Sequence, residues 1–182
     1  NGEAAWGTRR FKYTPPPSYT RVNVPENGKY FQALSQISGT ANAAETKRLE
    51  LQVIRKSDNW YWNFNLGTPA WQLAFSCVTI VPSGGNWSYS ASVPQLDSGS
   101  SYTFRSIGVS FSSVAEVGYV DNLVYYDTDK PWTVVQLPSA SQPYYRSLPR
   151  LGGLAQDNPS GTTPPASGIS ANNIWVELKA LN

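Results

Sequence analysis

The residues able to do chemistry are few, and their types point to contact rather than turnover. There is no histidine and one cysteine, Cys77, in 182 residues. Histidine is the commonest general base and metal ligand near neutral pH, so its absence removes Ser-His-Asp and Cys-His catalysis within the chain. A single thiol builds neither an internal disulfide nor a zinc site. Carboxylates remain, and glycoside hydrolysis needs only two at a set separation. Glu50 and Glu177 each fall in a predicted strand, opposite its apolar residues, where a sheet-lined cleft would place them. A solvated strand face accounts for both more simply. Asp127 and Asp129 flank Thr128 and offer two of the six or more oxygens calcium needs. No further ligands can be assigned, so a solvated turn is expected. The chain is therefore read as no enzyme, with no metal and no cofactor.

Aromatic residues are the opposite case: 7 Trp, 11 Tyr and 6 Phe. Trp and Tyr join a large apolar ring to a polar tip, the chemistry of recognition surfaces. In Trp60-Tyr61-Trp62, strand alternation sends the two indoles one way and Tyr61 the other. The indoles, followed by Phe64 and Leu66, are expected in the core. Tyr61, Asn63 and Asn65 then share the other face, where a ring could stack on a sugar and the amides bond its hydroxyls. Trp87 follows a Gly-Gly turn inside Asn86-Trp87-Ser88, a match to the N-glycosylation acceptor. Trp132 opens a predicted strand after Lys130-Pro131. Tyr144-Tyr145-Arg146 is the pairing of rings with a guanidinium that dominates many protein interfaces. The expected ligand-binding residues are Tyr144, Tyr145, Arg146, Trp132, Trp87 and Tyr61.

The elements that must position these residues are strands. Period-two alternation marks 48–54, 60–66, 71–81 and 87–93; 101–111 and 117–126 are longer β-rich runs, and 132–137 and 174–179 complete the set, with weaker candidates at 19–24 and 29–34. Turn signals such as Ser57-Asp58-Asn59, Pro82-Ser83-Gly84-Gly85-Asn86 and Asp97-Ser98-Gly99-Ser100 separate them. One short helix is predicted over 41–48. About ten strands at this spacing predict an all-β, antiparallel β-sandwich, jelly-roll-like, with one long irregular loop. Thr14-Pro15-Pro16-Pro17 closes an N-terminal arm over 1–18, and 19–182 forms a single domain. The loop is 138–173, an excursion rich in Pro, Ser and Gly, and such loops are often functional.

Charged residues make up only 14% of the chain and the net charge is +2, so no strong field favours nucleic acid. No apolar run reaches the length of a transmembrane helix, so no membrane insertion is expected. The missing disulfide framework suits bacterial secretion or assembly in a reducing cytosol. A start at Asn1 suggests a processed product or a fragment.

Gly118-Tyr119-Val120-Asp121-Asn122-Leu123-Val124-Tyr125-Tyr126 resembles the closing strand of jelly-roll carbohydrate-binding modules, where a similar step follows a run much like 101–111. That likeness covers 87–126 and implies glycan binding by a secreted microbial protein. The Pro-rich entry, low charge, polar loops and unpaired cysteine together resemble the protruding domain of a non-enveloped viral capsid. That likeness implies a virion-surface domain that meets a host-cell receptor or glycan and contacts its own copies as a dimer or trimer. The expectation carried forward is non-enzymatic recognition on a virion or extracellular surface. A capsid protrusion comes first, a carbohydrate-binding module second, and a carboxylate-dependent glycosidase or lyase third.

Overall fold

The computed structural model describes residues 19–65, 67, 69–139, 141, 146–148, 150–157 and 174–177. Among these the chain is all-β, with twelve strands and no helix. In order they are β1 (Thr20–Val24), β2 (Tyr30–Phe31), β3 (Ile37–Ala41), β4 (Thr46–Arg55), β5 (Tyr61–Asn63), β6 (Ala70–Gln72), β7 (Val78–Ile80), β8 (Asn86–Tyr89), β9 (Ser100–Ser110), β10 (Asp121–Tyr126), β11 (Trp132–Leu137) and β12 (Gly152–Gln156). Three sheets result. The smaller of the two body sheets runs β1-β3-β8, and β11 and β12 form a separate ribbon. The third, a curled sheet of seven strands, runs β2-β10-β9-β4-β5-β6, with β7 also paired to β4.

The long central strands β4 and β9 organise the large sheet. Their antiparallel register sets Leu49, Leu51 and Val53 opposite Gly108, Ser106 and Phe104. Paired residues share a face, so Leu49, Leu51, Val53 and Phe104 bury together with Tyr102 and Val124. The small sheet adds Val22, Ile37, Ala41 and Trp87 to the same core. Each fully buried aliphatic or aromatic chain contributes about 1.5–3 kcal/mol of transfer free energy.

Tryptophans pin the loops to this core. Trp62 Nε1 donates to the Ser92 carbonyl at 3.0 Å, Trp71 Nε1 to that of Gln95 at 3.1 Å, and Trp87 Nε1 to that of Thr40 at 3.1 Å. Trp62 meets Trp71 edge-on, and Trp71 stacks on Tyr102. Gly39 lies opposite Trp87 in the β3–β8 pair. A Cβ there would sit 2.6 Å from the indole and closer still to the Arg21 carbonyl, so only glycine lets the ring lie across β3.

Two polar side chains tie the sheets together. Glu116 Oε2 accepts from the Thr20 N–H and hydroxyl, both at 3.0 Å, and from the Gly108 N–H at 2.9 Å. Asn122 Nδ2 donates to the carbonyls of Val22 and Pro25 at 2.8 and 3.0 Å.

Several expectations need correction. The helix predicted over 41–48 is a turn between β3 and β4: Asn42 accepts at its carbonyl from the N–H of Thr46, and its side chain accepts from Ala44. The sheets are not purely antiparallel, because β2 pairs with β10 in parallel. The single strand predicted over 71–81 is two short ones, β6 and β7; the linking residues expose Leu73 and Phe75. The loop predicted over 138–173 contains β12, which pairs with β11 in a ribbon that, among the described residues, joins neither other sheet. Residues 174–177 are not a strand returning to the main sheet; 174–176 line a cavity beside the ribbon. Leu66, the arm over 1–18 and residues 178–179 lie outside the described residues.

Candidate functional site

The register that builds the core also assembles a second face on the large sheet. On β4 the alternate residues are Glu50, Gln52 and Ile54. Glu50 pairs with Ile107 and Thr79, giving one row. Asp121, Arg105 and Gln52 form the next. Leu123, Thr103, Ile54, Tyr61 and Gln72 form a third, spanning five strands. Beyond it Tyr30, Tyr125 and Ser101 make a fourth.

Three residues at the middle of this face are buried, and those around them are half-buried or exposed. Gln52 is 3% exposed, Ile54 8% and Thr103 6%. Rings stand on either side of the Ile54–Thr103–Leu123 strip. Tyr61 and Phe75 have centroids 5.4 Å apart, and Phe75 is 60% exposed. Tyr30 and Tyr125 stack at 4.9 Å. The strands of Tyr61 and Tyr30 are four spacings apart, about 19 Å along the sheet.

Arg105 orders the polar row. Its Nε donates to Asp121 Oδ1 at 2.6 Å and its Nη2 to Oδ2 at 2.8 Å, a bidentate fork. Its guanidinium lies 4.4 Å from the centroid of the Tyr119 ring. The Asp121 hydrogen bond is the main reason the Arg105 pKa is pushed up. Burial opposes it, while the Asp121 charge and the Tyr119 and Tyr61 phenols add to it. The fork is internally neutral and still presents N–H donors and carboxylate oxygens beside exposed rings.

A separate groove of about 510 Å³ is lined by Asn23, Gln36, Ser38, Asn86 and Ser88 among others. It offers hydroxyls and amides but no open ring, since Trp87, the aromatic among its lining residues, is 4% exposed.

Four of the six sequence-derived binding residues are described, and they are dispersed. Tyr61 stands on the second face, as alternation predicted, with Glu50 half-buried on the same face. Trp87, expected as a contact residue, is a core residue: its N–H is satisfied by Thr40 and its ring covers Gly39. Trp132 is exposed on the β11–β12 ribbon, and Arg146 is exposed outside any strand. Tyr144 and Tyr145 lie outside the described residues. Trp60 is exposed beside the Arg55 guanidinium, whereas Trp62 and Phe64 bury as expected.

Sequence reading missed Phe75, Arg105, Tyr119 and Asp121. Arg105 carried a signal, being a charge inside a long β-rich run at alternate parity to Phe104. Its partnership with Asp121 depends on register across β9 and β10, which no local pattern encodes.

Asp127 Oδ1 accepts from the Asp129 N–H at 3.1 Å, so the Asp-Thr-Asp step closes a turn. Among the described residues no three His, Cys, Asp or Glu side chains converge as a metal group would require. Burial, and then the Glu50 charge, push the Cys77 thiol up, which makes it a poor nucleophile. Among the described residues no helix is long and apolar enough to cross a membrane. No protein family, curated protein or solved structure matches the chain.

Proposed function

We propose that this chain is a non-enzymatic recognition domain that holds a neutral oligosaccharide on the second face of its large sheet. The observation that carries the reading is the Ile54–Thr103–Leu123 strip, flanked by Tyr61–Phe75 and Tyr30–Tyr125 and bordered by the Arg105–Asp121 fork. Sugar rings present apolar C–H faces and a rim of hydroxyls. Exposed aromatic rings suit the first; fixed planar donors and acceptors suit the second. Charge within the fork is already compensated, which favours a neutral glycan over an acidic one.

The fold that fits this reading is a β-sandwich of jelly-roll type, supported by two sheets that share one apolar core. The setting proposed first is a capsid protruding domain on a virion surface that attaches to a host-cell glycan. A carbohydrate-binding module of a secreted microbial protein is the second reading. It is favoured by the antiparallel pairing of Ser100–Ser110 with the strand holding Asp121-Asn122-Leu123, the step through which the chain resembles those modules. In support of the non-enzymatic reading, both oxygens of Asp121, a carboxylate of this face, are engaged as acceptors by Arg105.

Affinity electrophoresis through a panel of neutral polysaccharides tests the proposal. At least one polysaccharide is expected to retard the parent chain, with mobility restored by Tyr61→Ala. An unretarded parent across the panel would overturn it.

A further inference from the structure

Along the Ile54–Thr103–Leu123 strip, exposed rings stand at the two ends. At one end Phe75 is 60% exposed against Tyr61. At the other, Tyr30 is 37% exposed and stacks on Tyr125. Between them Ile54 and Thr103 are buried and offer a ligand little surface. The ends differ in their polar company. Register sets the row of Arg105 and Asp121 next to the row of Tyr61 and two rows from that of Tyr30. Rings and fixed donors and acceptors therefore combine at the Tyr61 end, and the Tyr30 end adds a second pair of rings.

Reach decides which ligands use both ends. From β5 through β4, β9 and β10 to β2 there are four strand spacings, about 19 Å along the sheet. Each pyranose unit of an extended glycan advances by about one such spacing, so a chain laid across the strands bridges the two ends with about five units. A disaccharide held at the Tyr61 end falls well short of Tyr30. A longer linear chain makes its second contact within the same complex, at a high effective concentration, and so gains affinity without a second encounter. A compact or branched glycan held at the Tyr61 end has no such extension and gains nothing from the far rings.

Resting on the glycan reading, we infer that the ligand is a linear, extended glycan of about five or more units that runs across the strands, and that Tyr30 and Tyr125 form a remote subsite that selects for its length. The Tyr61 end, with Phe75 and the Arg105–Asp121 fork, recognises the sugar. The Tyr30 end measures how far the chain continues.

Calorimetric titration of the full chain with cello-, manno- and xylo-oligosaccharides, from the disaccharide to the hexasaccharide, tests it. In a series that binds, affinity is expected to rise at least about tenfold between the trisaccharide and the hexasaccharide. Tyr30→Ala is expected to remove that rise and leave trisaccharide affinity unchanged, whereas Phe75→Ala should weaken both. Tyr30→Leu keeps an apolar side chain on β2 and should lose the rise equally, which separates loss of the ring from loss of the strand. Equal affinity at every length would overturn the inference alone, as would a Tyr30→Ala variant that keeps the rise. A parent that binds no oligosaccharide of any length, and that no polysaccharide retards, would overturn the glycan reading and the inference with it.

Discussion

The two faces of β4 and β9 differ more than alternation requires. On one side Leu49, Leu51 and Val53 are fully buried under the small sheet. On the other, Gln52, paired with Arg105, and Ile54, paired with Tyr61, are almost as buried. A face meant only for solvent would leave such residues open. The contrast separates two tasks for one pair of strands: one side contributes most of the folding free energy, and the other is a prearranged polar and aromatic surface. Substitutions on the first side should therefore cost stability, and those on the second should cost binding.

The largest effect belongs to the core side. Phe104→Ala removes a ring that is fully buried. It is expected to destabilise the fold by about 3–5 kcal/mol in chemical denaturation, through lost transfer free energy and a cavity. A loss below about 1 kcal/mol would mean that this side is not the core.

Next comes the clasp between the sheets. Glu116→Ala leaves the Thr20 and Gly108 N–H groups without their acceptor. The expected cost is about 1–3 kcal/mol. Glu116→Gln keeps an acceptor oxygen and should recover part of it; equal losses in both variants would count against the hydrogen-bond account.

The second face should behave oppositely. Arg105→Lys keeps the charge but loses the fork. Asp121 is substantially exposed, so the expected stability loss is below about 1 kcal/mol. Glycan affinity should fall clearly in the same variant, because donors and acceptors lose their fixed geometry. A stability loss without an affinity loss would reassign the pair to structure.

The smallest effect is a pH dependence at the core's edge. Arg55 Nη2 donates to Asp58 Oδ2 at 2.6 Å, and that bond is the main reason the Asp58 pKa is lowered. A carboxyl whose folded pKa lies below its unfolded one stabilises the fold at pH above the unfolded value, and loses that contribution as pH falls through the folded value. The pair is surface-exposed, so the contribution is at most a few tenths of a kcal/mol. Asp58→Asn should flatten the acid limb of the stability curve slightly and leave neutral-pH stability almost unchanged.

Much of this contrast was legible in the sequence, for local reasons. The alternation in 48–54 and 60–66 placed Leu49, Leu51, Val53 and Trp62 in the core and Tyr61 opposite, because a strand's period is a property of the backbone. Trp87 misled because an exposed and a buried tryptophan look the same in sequence. What buries it is Gly39, more than forty residues away. Asn42 misled because a turn that bonds its own backbone carries the same helix-tolerant residues as a short helix. The fork between Arg105 and Asp121 needed the β9–β10 register, and the strand at Gly152–Gln156 hid in a Gly-rich stretch without alternation.

The most direct test of the central claim is an amide chemical-shift titration of the assigned chain with a neutral oligosaccharide. The account predicts that shifts concentrate at Tyr61, Phe75, Arg105, Tyr119 and Asp121 and leave the β11–β12 ribbon unchanged. Shifts confined to the ribbon, or to the groove lined by Asn23, Ser38 and Asn86, would contradict it, as would no shifts across a series of such glycans.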